Sequence, residues 1–133
     1  MGGRGTYAAG NNVAYAFKTV RIINGVKVLE GIGGRHGLPA EAHRSTAYIV
    51  LKPKGPEKGV FHEMRIYDKD HYVVKEIAYH PEPNLNGGNH NENVLHIHDY
   101  PVRGNFDIRP AHRMTREEYE TYKQYFEGVP EID

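Results

Sequence analysis

The chain has 133 residues, 38% of them hydrophobic, and its 17 lysines and arginines balance 17 aspartates and glutamates. That length fits one domain with a thin core. Zero net charge excludes a protein that coats nucleic acid through a surplus of cations, although it leaves room for a local basic pocket. Cysteine is absent, so disulfides and thiolate metal sites are excluded as well. Nine histidines are an excess that makes the charge sensitive to pH between roughly 5 and 7.5. No apolar run approaches the roughly 18 residues needed to span a bilayer. The opening residues lack the apolar stretch of a signal peptide, so a cytoplasmic location is expected.

Residues 1–12, rich in glycine and asparagine, read as a flexible lead-in to a domain over 13–133. Val13 to Ile23 and Val26 to Ile32 are rich in β-branched and aromatic residues, and Asn24-Gly25 separates them. Both turn residues tolerate the positive φ of a type I′ turn, which predicts a hairpin. Gly33 to Ser45 reads as a loop with a single helical turn after Pro39. Thr46 to Lys52 reads as a strand closed by a turn over residues 53–59.

Val60 to Tyr67 and Tyr72 to His80 read as two further strands around Asp68 to His71. Residues 81–93 are polar and glycine-rich, a long loop. Val94 to Tyr100 is a short strand, and Pro101 to Arg113 reads as irregular. The last element is a helix with Thr115 and Glu118 spaced as a capping box and Met114 and Tyr119 as a hydrophobic staple. Tyr119, Tyr122 and Phe126 form its apolar face, and Gly128 and Pro130 end it. The pattern predicts an α+β fold: an antiparallel β-meander of about five to six strands with the C-terminal helix packed on one face.

The hairpin around Asp68 carries the argument toward chemistry. A tight turn at Lys69-Asp70 would pair Ile66 with Val73, Met64 with Lys75 and His62 with Ile77 on a core-facing side. Tyr67 would pair with Tyr72, Arg65 with Val74, Glu63 with Glu76 and Phe61 with Ala78 on the other. Two opposed glutamates need compensation, and Arg65 is the diagonal neighbour that would supply it. His80 continues the Glu76 face. In the next strand His96 and His98 share a face roughly 6–7 Å apart, while Leu95 and Ile97 enter the core. Pairing of this strand beside Tyr72–His80 would gather the histidines.

Four readings fit those residues. Histidines and charges on a solvated sheet face need no function. Acid–base cleavage of a phosphodiester needs a proton acceptor for an attacking hydroxyl, a donor for the leaving oxygen and a cation for the phosphoryl charge. His80 with His96 or His98 would supply the first two, Arg65 the third, and Glu76 would orient an imidazole or act as base. A divalent metal bound by His96 and His98 with His80 or Glu76 would leave an open position, a donor set suited to Zn, Fe, Mn or Ni. Non-catalytic capture of a small anionic ligand would use tyrosine stacking, with Arg35, His36, His43 and Arg44 as phosphate contacts.

Two stretches carry a resemblance. Met1-Gly2-Gly3-Arg4-Gly5 resembles the opening of small phage and prophage proteins and extensions found beside head-morphogenesis genes. Tyr67-Asp68-Lys69-Asp70, Lys75-Glu76-Ile77, His80 and His96-Ile97-His98 are similar to the tail of that group, some of which is thought to be RNase-like, of the barnase, EndoU or colicin type. The resemblance covers about half of the chain. It matches at His80, His96 and His98, and departs at Glu76-Ile77 and in a longer loop before His96. It implies a bacterial host cell and a phosphodiester partner, either RNA or a small nucleotide; the acid–base reading requires no cofactor, and a divalent metal stays open. A nucleotide-binding or anti-defence inhibitor protein and a virion assembly accessory are the alternatives.

Overall fold

The computed structural model describes residues 17–31, 38–39, 45–105 and 107–130. The expected lead-in over 1–12, the helical turn after Pro39, and Arg35, His36, His43 and Arg44 lie outside the described residues.

Asn24 and Gly25 take φ angles of 47° and 84°, the two positive values that let a two-residue turn follow the twist of its strands. They join β1 (Phe17–Ile23) to β2 (Val26–Gly31) as the sequence predicts. β1 is a sheet edge, bulged at Val20, and it leaves Val20 and Ile22 exposed. The sheet continues in chain order through β3 (Ala47–Leu51), β4 (Phe61–Tyr67), β5 (Val73–Pro81), β6 (Asn93–Asp99) and β7 (Ala111–Arg113).

This mostly antiparallel α+β fold follows chain order and corrects the expected antiparallel meander of five to six strands in two ways. Among the described residues there are seven strands, because Ala111–Arg113 pairs with His96–His98 where the sequence reads as irregular. Three residues are too few to show a period of two. Second, β2 and β3 are parallel, so the meander is interrupted once. A crossover is needed there, and the chain between Gly31 and Ala47 is long enough to make it.

The sheet has apolar residues on both faces. On one side Ile49, Phe61, Met64, Ile77, Leu95 and Ile97 meet Met114, Tyr119 and Phe126. On the other, Phe17, Leu29, Leu38, Tyr48, Tyr67, Val73 and Tyr100 form a smaller cluster. The helix α1 (Arg116–Tyr122) begins with the predicted capping box: the Thr115 hydroxyl accepts from Glu118 N, and the Glu118 carboxylate accepts from Thr115 N. α1 stops at Tyr122, earlier than Gly128 and Pro130 suggested, and a 3-10 turn over Lys123–Tyr125 follows. That turn brings Phe126 against Phe61 with ring centroids 4.7 Å apart.

Past Phe126, the Glu127 carbonyl accepts from Phe61 N at the start of β4. Gly128 then adopts φ 79°, and a Cβ there would stand 3.0 Å from Val60 Cγ2. Gly128→Ala is therefore expected to cost roughly 1–2 kcal/mol, from the left-handed backbone and the crowding together. Urea unfolding would measure it, and an unchanged midpoint would remove this account of how the C-terminal segment docks.

Candidate functional site

The site lies on the sheet face opposite α1, across β4, β5 and β6. Its geometry depends on three single-residue irregularities. The turn after β4 is one residue longer than expected: Asp68 N donates to Tyr72 O, and Lys69, Asp70 and His71 lie between, with His71 at φ 76°. Val74 is then an extra residue, because Ile66 pairs with Lys75 while Tyr67 pairs with Val73. Together these offsets correct the expected pairing by two positions. Met64 opposes Ile77, Glu63 opposes Ala78, and Arg65 directly opposes Glu76. A shift of two preserves the faces, so Glu63, Arg65, Glu76 and His80 still share one side.

The third irregularity was not visible in the sequence. Val50 pairs with Glu63 and Leu51 with Phe61, so His62 is the extra residue of a bulge. Phe61 goes to the α1 side against Phe126, whereas Ala78 was its expected partner. His62 was expected in the core opposite Ile77; the bulge instead brings its ring to His80, with centroids 5.7 Å apart. Bulges re-aim side chains in this way, and only the pairing partner reveals them.

β6 pairs with β5 without interruption, placing His96 beside Ala78 and His98 beside Glu76. Four imidazoles therefore run across three strands: His80 to His96 is 4.8 Å and His96 to His98 is 5.1 Å between ring centroids, both nearly perpendicular. His96 is wholly buried, His98 nearly so, and the His62 and His80 side chains are about 30% exposed. The row thus rises from a closed end to an open rim.

Backbone carbonyls fix the ring orientations. Nδ1 of His80 bonds to Pro81 O at 2.9 Å, that of His96 to Val94 O at 2.8 Å, and that of His98 to Arg109 O at 3.1 Å. A carbonyl only accepts, so Nδ1 carries the hydrogen and each neutral ring keeps its lone pair on Nε2. The Nε2 of His96 is buried with no hydrogen-bond partner, as is Nδ1 of His62.

Beneath the row, the buried Glu76 receives Arg65 Nε at 2.7 Å and has Arg109 NH1 at 3.8 Å. Arg65 also donates to Leu38 O, so its guanidinium is largely engaged by the protein. Burial opposes its charge, yet Glu76 and the nearby tyrosines hold its pKa above that of a free arginine. Arg65 and Glu76 thus form the floor of the site. Arg109, about half exposed beside Glu76, is an outward-facing cation that no motif in the sequence singles out. Tyr67 and Tyr100, two tyrosines on this face, are buried and so present no open ring for the stacking that non-catalytic capture would use.

Glu63 stands where two histidines meet. One oxygen, Oε2, is 3.9 Å from His62 Nε2 and 3.8 Å from His80 Nε2. Burial, reinforced by Glu76, raises its pKa above 4.5 against the pull of Arg65, His80 and Arg109. Burial lowers His62 below 6.5, with Lys52 and His80 adding to the effect, and burial lowers His96 likewise.

These shifts set opposite pH dependences. A folded His62 holds fewer protons than the unfolded chain below pH 6.5, so its contribution to stability is lost as pH falls from there through its folded value. Glu63 holds more, so its contribution is present below pH 4.5 and lost as pH rises through its folded value. The urea midpoint is expected to fall on acidification from about pH 7 to 5.5, and less steeply in His62→Gln. An equal slope in that variant would rule out a desolvated His62.

All five residues first selected, Arg65, Glu76, His80, His96 and His98, lie on this one face. His90 is exposed on the following loop, away from the strands that carry them. His62, Glu63 and Arg109 complete the set. Among the described residues no helix is long and apolar enough to cross a membrane. The chain matches no family model, no curated protein and no solved structure, so what the site does must be argued from its own chemistry.

Proposed function

We propose that this face cleaves a phosphodiester, in RNA or a small nucleotide, by proton transfer between histidines. The observation that carries the reading is the rim, where two imidazoles 5.7 Å apart share one carboxylate oxygen. Two proton carriers spaced around one point suit a reaction in which one group accepts a proton while another donates. Strands β4, β5 and β6 contain no serine, threonine or cysteine. A substrate that brings its own nucleophile, as a ribose 2′-hydroxyl does, needs none.

The roles follow from exposure. His80 Nε2 takes the hydroxyl proton and His62 returns one to the leaving oxygen, or the reverse, while Glu63 between them steadies whichever ring is charged. Arg109 meets the phosphoryl oxygens. Arg65 and Glu76, selected first as catalytic, act instead as positioning residues, because each is bound to the other. His96 and His98 support the row from within. The resemblance of the short motifs to phage and prophage proteins is in keeping with this reading and with action inside a bacterial cell. Stacking capture of a nucleotide is less well supported, since Tyr67 and Tyr100 are covered.

The test is turnover of mixed RNA and of a panel of cyclic and linear nucleotides by the wild type and by His80→Asn, with and without chelator. Cleavage that leaves a 2′,3′-cyclic phosphate and fails in the variant supports the reading. No turnover of any phosphodiester, with thermal stabilisation by one nucleotide, would replace it with non-catalytic capture.

A further inference from the structure

Glu82 follows His80 by two positions just beyond β5, so the alternation that aligns Glu76, Ala78 and His80 carries it to the same side. Its loop is built to hold it. Glu82 O accepts from Leu85 N, Asn86 and Asn89 bond the loop to Glu92 and to each other, and Arg113 of β7 donates to Leu85 O. A carboxylate oxygen of Glu82 and one ring nitrogen each from His96 and His98 all lie within 4.8 Å of one another.

Two further observations concern these rings. Both donate Nδ1–H to a backbone carbonyl, the arrangement that orients metal-binding histidines and presents Nε2 as the ligand. The Nε2 of the wholly buried His96 has no hydrogen-bond partner. A buried lone pair without a donor carries a desolvation cost that a cation would remove.

We propose that Glu82, His96 and His98 bind one divalent transition-metal ion. Two imidazoles and a carboxylate suit zinc or iron and leave positions open for water or a phosphoryl oxygen. Ligands of zinc stand roughly 3.3 Å apart at bond lengths near 2.0–2.1 Å, so the three donor atoms draw closer together on binding. This set replaces the His80, His96 and His98 trio expected from sequence. His80 remains beside it, its ring 4.8 Å from that of His96. The binding stands independently of the proposed function; the role of the ion, drawing a phosphoryl oxygen to the His80 edge, rests on that reading.

The test titrates chelator-treated protein with Zn²⁺ by calorimetry and with Co²⁺ by its visible absorption. One ion per chain is expected, with affinity at least about tenfold weaker in Glu82→Gln and His98→Asn and unchanged in His62→Gln. If His98→Asn unfolds, Glu82→Gln decides, since its side chain sits on the loop. Failure to bind one ion, or full affinity in Glu82→Gln, overturns the proposal. Ion binding without turnover would leave the metal site standing and sink the phosphodiesterase reading; turnover by metal-free protein that binds no ion would do the opposite.

Discussion

Replacing His62 with glutamine, or His80 with asparagine, is expected to lower phosphodiester turnover by about 10²- to 10⁴-fold, the usual contribution of a positioned acid or base. The two side chains are partly exposed, so either exchange should leave the fold intact. The stronger prediction concerns the double variant. If both rings serve one proton-transfer sequence around Glu63, removing the second costs little once the first has gone. Fully multiplicative losses would mean that the rings act on separate steps or sites. A pH profile adds a second criterion: losing either ring should remove one limb of the wild-type curve, which a merely structural histidine would not do.

Arg65→Met is expected to destabilise the protein by about 3–5 kcal/mol, because it leaves Glu76 buried without its 2.7 Å partner. Arg109, at 3.8 Å and half exposed, is too far and too solvated to take over. Loss of the bond to Leu38 O adds to the effect. Arg65→Met combined with Glu76→Leu should recover most of the loss, since an apolar pair of similar volume avoids the desolvation of both charges. Urea unfolding of the two single variants and the double one forms the required cycle. A cost below about 1 kcal/mol for Arg65→Met would place the pair among weak, solvent-screened bridges and remove it as the floor of the site.

Much of the fold was legible because its signals are local. Asn24-Gly25 specifies a turn by backbone preference alone, and the Thr115–Glu118 capping box is complete within four residues. The alternation of Leu95, His96, Ile97 and His98 divides β6 between core and site without reference to any other strand. β7 was missed because it is a strand only through its partner: Ala111–Arg113 has three residues and takes its place from hydrogen bonding to β6.

Sequence by itself determined that Glu63, Arg65, Glu76 and His80 share a face, because a period of two survives any even shift, but it misplaced Phe61 and His62. It found Arg65, Glu76, His80, His96 and His98 for that reason, although the expected pairing was two positions out. Tertiary structure alone decided what each can do. The bulge that turns His62 to the rim, the pairing that ties Arg65 to Glu76, and the β5–β6 pairing that sets Glu82 beside His96 and His98 all depend on contacts between distant segments. Proton carriers differ from buried supports in their access to solvent, and burial is set by what packs over a residue.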